Sequence, residues 1–188
     1  MSDFVFRKSE LEGVMLISPK QFRSENGSFE KNFEKEIYKA NGIYFEVSEE
    51  YKIVLNKGVL KGIHFQYPCP QSRLVSISMG KALIVVVDLR KDSQQLGKWK
   101  MYREVSEQKT IIFIPKGFGL GTLALENNTI IEVKCSGQYF EKYSCGVNYN
   151  DKELSIDWKK EYSECIQVSE KDQMLMSFRE YINIVEER

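Results

Sequence analysis

Short apolar runs separated by short polar turns dominate the chain from about residue 43 to residue 135. Residues 43–47, 51–55, 74–78, 82–89, 99–105, 110–114, 123–125 and 129–135 each read as a strand. The run at 82–89, Ala-Leu-Ile-Val-Val-Val-Asp-Leu, is apolar at nearly every position. Alternation is absent there, so both faces of that strand should be buried. The turns between runs carry the expected chemistry, as in Ile114-Pro-Lys-Gly-Phe-Gly and Glu126-Asn-Asn.

The ends read differently. Residues 4–18 suggest a first strand, closed by Ser18-Pro19-Lys20. Asn26-Gly27-Ser28 is a turn, and Ser28 can cap a helix beginning at Phe29, with Phe29, Phe33 and Ile37 on one stripe and Asn41-Gly42 as its stop. Past Trp158, Ser169-Glu-Lys-Asp can begin a helix, and Met174, Phe178, Tyr181 and Val185 form a packing face near helical spacing. Regularly spaced short strands without intervening helices predict a mainly β protein, a sandwich or jelly roll with short flanking helices. At 188 residues the chain is expected to form a single domain over 1–188 with a substantial core.

Composition narrows the function classes. Twenty-seven basic and 27 acidic residues cancel, so neither nucleic acid nor an anionic membrane is an expected partner. No apolar run reaches the ~18 residues of a membrane span, and the N-terminus lacks a signal-peptide core, which predicts a cytoplasmic protein. Cys69, Cys135, Cys145 and Cys165 form no C-x-x-C pair and have no histidine at ligand spacing. Reduced thiols are therefore expected, with no metal and no cofactor.

The chemistry concentrates in residues 58–74, which hold His64, the only histidine of the chain, between Lys61 and Arg73. A histidine titrates near neutrality, so His64 is the candidate general base, although a lone histidine among apolar neighbours is more often simply packed.

Gly58-Val-Leu-Lys-Gly-Ile-His-Phe-Gln, Arg73-Leu-Val, Val86-Val-Asp-Leu-Arg-Lys-Asp-Ser with Gly97-Lys-Trp, Ile114-Pro-Lys-Gly-Phe-Gly, Lys134-Cys-Ser, Tyr139 and Val168-Ser-Glu-Lys-Asp resemble, in order and spacing, the dTDP-4-dehydrorhamnose 3,5-epimerase family. The resemblance runs from about residue 16 to residue 172. It implies a cupin-type jelly roll that pairs as a homodimer and epimerises a nucleotide-linked 4-keto-6-deoxy sugar at C3, C5 or both. It also implies a place in deoxysugar synthesis for lipopolysaccharide, capsule or a similar glycoconjugate. Carried over position by position, it makes His64 the base, Asp172 its carboxylate partner and Arg73 the enolate stabiliser, where the family has lysine. Lys61, Gln66, Asn26, Phe29 and Tyr143 are its implied substrate-binding residues.

The departures are informative. The family's proton-donating tyrosine before the Lys-Cys segment is Val133 here, its second histidine is Leu120, and its usual arginine near the N-terminus is Asn26. Loss of the acid leaves Tyr139, Tyr143 or water to reprotonate the sugar and could confine inversion to one carbon. A single-face 3,4-ketoisomerase, which needs one base only, and a binding protein without turnover are the alternative readings.

Overall fold

The computed structural model describes residues 3–187. The strands in chain order are β1 (Val5–Lys8), β2 (Met15–Ser18), β3 (Lys20–Ser24), β4 (Gly27–Lys31), β5 (Glu49–Leu55), β6 (Val59–Gln66) and β7 (Ser72–Met79). They continue as β8 (Lys81–Asp88), β9 (Trp99–Val105), β10 (Ile111–Ile114), β11 (Phe118–Ala124), β12 (Thr129–Ser136), β13 (Ser144–Gly146) and β14 (Gln167–Val168). Among the described residues there are four short α-helices: α1 (Lys35–Ala40), α2 (Trp158–Glu161), α3 (Glu170–Gln173) and α4 (Phe178–Glu186).

Two sheets face each other in a cupin-type jelly roll. One runs β1-β2-β10-β7-β12-β5, the other β13-β6-β11-β8-β9, with β14 added parallel to β6. Val75, Ile84, Ile112, Leu120 and Val133 fill the space between them. β8 shows why its sequence lacks alternation. Ala82, Ile84 and Val86 face this interior, whereas Leu83, Val85 and Val87 pack outward beneath Trp158, Tyr181 and Val185. Each such valine contributes about 1.5–3 kcal/mol through burial.

Several elements depart from the expectations. Residues 4–18 form two strands of a hairpin, not one. Ser28 caps no helix: Phe29 lies in β4 opposite Phe22 of β3, and the helix starts at Lys35. The i, i+4 spacing of Phe29 and Phe33 fits a helix as well as a strand end, and pairing with β3 decides between them. Residues 43–47 form no strand, since Ile43 and Phe45 bury themselves against Tyr38 rather than joining a sheet. Near the C-terminus Phe178, Tyr181 and Val185 share the packing face of α4, but Met174 precedes that helix and is exposed. A capping box at Ser177 and Glu180 starts α4.

Candidate active site

β6 carries the site, and a local irregularity aims it. His64 pairs with Leu120 and Lys61 with Thr122, so β6 spends one residue more than β11 over this interval. The extra residue places His64 and Lys61, three apart, on the same face of the sheet. Gly62 occupies the bend at φ +110°, and a Cβ there would lie 2.5 Å from the Leu120 carbonyl oxygen. No other residue type fits that position without displacing backbone.

The C-terminal segment delivers the partner carboxylate. β14 pairs with Val59 and Leu60, and Ser169 then caps α3 by accepting the Asp172 N–H at 3.1 Å. Asp172, almost fully buried, stands with Oδ1 3.2 Å from His64 Nε2, while Oδ2 accepts the Gly62 N–H at 3.1 Å. One carboxylate thus fixes both the imidazole and the bend from which it hangs. Burial pushes the His64 pKa below its ordinary value, outweighing Asp172, which raises it; Lys61 and Lys171 push it down further. The ring is therefore neutral at pH 7. Asp172 holds Nε2, which leaves Nδ1 to accept a proton.

His64, Arg73, Gln66, Gln71, Glu49, Tyr51 and Tyr139 line one cavity of about 320 Å³ between the sheets. Arg73 is buried on β7, and its Nη1 donates to the His64 carbonyl oxygen at 3.4 Å. Tyr139 stands at the rim, 48% exposed. Gln66 turns its amide onto the adjoining loop, donating to the carbonyl oxygens of Cys69 and Gln138 and accepting from the Phe140 N–H. It thereby fixes the loop that carries Tyr139.

Other predicted site residues lie outside this lining. Lys61 is exposed on β6, close enough to act on the charge of His64. Tyr143 packs its ring against Phe140, with Lys142 over its face. Asn26 and Phe29 belong to the separate β3–β4 hairpin, where Phe29 is 54% exposed. Glu49, Tyr51 and Gln71 are lining residues that sequence reasoning missed, and Tyr51 is the one with a phenol. Its period-2 position in β5 is the signal, since Glu49, Tyr51 and Ile53 must share a face.

Among the described residues no cluster of histidine, cysteine, aspartate or glutamate is arranged to hold a metal ion, and no helix is long and apolar enough to cross a membrane.

The comparisons with known proteins follow the same lines. The sequence profile of the dTDP-4-dehydrorhamnose 3,5-epimerase family matches residues 8–180. An enzyme of that name from Methanothermobacter thermautotrophicus is 36% identical over 96% of this chain and 97% of its own length. Its namesake from Escherichia coli is 29% identical over 94% and 96%. The crystal structure of a Legionella pneumophila dTDP-6-deoxy-D-glucose-3,5-epimerase in complex with dTDP-4-keto-L-rhamnose superposes with a TM-score of 0.89, at 29% identity and 94% coverage of both chains. The chain belongs to the dTDP-4-dehydrorhamnose 3,5-epimerase family.

Proposed function

We propose that this family member inverts a carbon beside the keto group of a nucleotide-linked 4-keto-6-deoxy sugar, by way of an enolate. The observation that carries the reading is the His64 imidazole, held 3.2 Å from the buried Asp172 carboxylate, in a cavity that also holds the Arg73 guanidinium.

A keto group at C4 acidifies the C–H bonds at C3 and C5. His64 Nδ1 takes one of these protons, and Asp172 stabilises the imidazolium that forms. Charge moves onto the ketone oxygen, where Arg73 offers fixed N–H donors; such donors are worth about 10²–10³-fold in rate. Return of a proton to the opposite face completes the inversion. In this reading Tyr139 provides an aromatic wall at the mouth and Lys61 a cation for the diphosphate. The relatives' names favour a thymidine diphosphate sugar. The product would supply deoxysugar for lipopolysaccharide, capsule or a similar glycoconjugate.

Asn26 and Phe29 can serve a substrate only from outside their own cavity. We assign them to the cavity of a second copy, in a homodimer to which the exposed Phe22–Phe29 pair contributes. Four free cysteines fit work in the reducing cytoplasm.

The test is product identity. Proton NMR of dTDP-, CDP- and GDP-4-keto-6-deoxyglucose incubated with the purified protein should show a new diastereomer for one of the three. A product whose keto group has moved to C3 overturns the epimerase in favour of a ketoisomerase. No product from any of the three overturns the reading altogether.

A further inference from the structure

The base side of this site is complete, whereas the position expected to donate the returning proton holds Val133, fully buried in the interior. The sheet register supplies a phenol from elsewhere. Val133 of β12 pairs directly with Tyr51 of β5. Paired residues of antiparallel strands point to the same face, their Cβ atoms about 5 Å apart. Tyr51 therefore projects from the neighbouring strand into the region that a tyrosine at 133 would face. It lines the cavity with His64 and Arg73. Its hydroxyl lies against the thiol of Cys135, the next inward residue of β12 after Val133.

The two sheets also give the required sidedness. His64 hangs from β6 in one sheet and Tyr51 from β5 in the other. These strands follow each other in the chain, joined by the turn at 56–58. Tyr51 lies four residues before the end of β5 and His64 five residues after the start of β6. At about 3.3 Å per residue the two stand at similar heights in the cavity. A sugar ring between the sheets then has the imidazole on one face and the phenol on the other.

We propose that Tyr51 is the general acid of this enzyme, a phenol displaced by one strand from the position that Val133 occupies. The proposal rests on the epimerase reading above. His64 Nδ1 removes the proton from the substrate carbon, and the C–H electron pair becomes the enolate. The enolate carbon then takes the proton of Tyr51 on the opposite face, and the O–H electron pair stays on the phenolate oxygen. Water from the open mouth of the cavity reprotonates the phenolate, and the imidazolium of His64 loses its proton to water. No oxidant or reductant enters. The net change is one inverted centre carrying a hydrogen from solvent.

Burial pushes the Tyr51 hydroxyl up to about 12 while Arg73 draws it back, so the phenol holds its proton at neutral pH. Tyr139 also lines the cavity, but from the loop beyond β12 rather than from the strand beside Val133, and Tyr143 packs its ring on Phe140.

The experiment separates deprotonation from inversion. In deuterium oxide, with the dTDP-, CDP- and GDP-4-keto-6-deoxy sugars, the wild-type protein should invert one of them and place deuterium at the inverted carbon. Y51F should lose inversion by about 10²-fold or more while still washing deuterium into the unreacted diastereomer, and H64N should lose both. Y51F inverting at the wild-type rate overturns the assignment. Equal loss of exchange and inversion in Y51F overturns it too. The isosteric replacement of Tyr51 by 3-fluorotyrosine, which lowers the phenol pKa, distinguishes chemistry from folding. It should move the basic limb of inversion to lower pH without moving that of exchange, and an unmoved limb counts against the acid. A wild-type protein that shows neither exchange nor inversion strikes the epimerase reading itself, a result independent of the Tyr51 variants.

Discussion

Asp172 reaches His64 from the far end of the chain, with one carboxylate oxygen 3.2 Å from Nε2 and the other accepting the Gly62 N–H. The two contacts make the base and the bend in β6 a single unit. Each is held by the pairing of β14 with β6 and by the Ser169 cap of α3.

Replacing Asp172 by asparagine tests that unit. The amide oxygen can still accept from Gly62, but its NH₂ group faces Nε2 and favours the wrong tautomer. D172N should keep a near wild-type melting temperature and lose about 10²–10⁴-fold in kcat. A kcat within threefold of wild type would show that Asp172 does not support the base.

The pH dependence follows from the lowered His64 pKa. The neutral ring is the active form, so kcat/KM should stay level as pH falls through about 6.5 and decline only below the free-histidine value. Stability follows the same sign. The unfolded chain binds the proton at higher pH than the folded one, so stability attached to neutral His64 is present above about 6.5 and lost as pH falls through the lowered value. Chemical denaturation from pH 8 to pH 5, with H64N as reference, reads this contribution directly.

Gly62→Ala should be more damaging than its size suggests. The residue sits at φ +110°, and its Cβ would meet the Leu120 carbonyl oxygen at 2.5 Å. Strain of about 1–3 kcal/mol is expected, with loss of the Asp172 hydrogen bond and most of the activity. Urea denaturation and kcat measured together check both. An unaffected variant would mean that the bend is not what aims His64.

Arg73→Lys keeps the charge and removes the planar fork. If the guanidinium stabilises the enolate, R73K should lose about tenfold in kcat and R73M about 10²–10³-fold, with KM changing less. A change confined to KM would place Arg73 in ground-state binding.

The strand framework was legible in the sequence because burial on both faces of β8 leaves a continuous apolar run and the turns between strands carry glycine, proline and asparagine. The β3–β4 hairpin was not, since the Phe29, Phe33 and Ile37 spacing fits a helix and only pairing with β3 excludes it. His64 stood out by being unique, but no local pattern joins it to Asp172. The family resemblance made that link, and β14 gives it a physical cause. Tyr51 was legible as a strand residue and not as a site residue, because the register that sets it opposite Val133 is a property of the folded sheet.

The most direct measurement is hydrogen exchange at the substrate carbons next to the ketone. Wild-type protein and H64N are incubated in deuterium oxide with the dTDP-4-keto-6-deoxy sugar, and the H3 and H5 signals are followed by NMR. Wild type should lose at least one of these signals as a new diastereomer appears, and H64N should lose neither. Exchange that persists in H64N at the wild-type rate would contradict the role of His64 as the base.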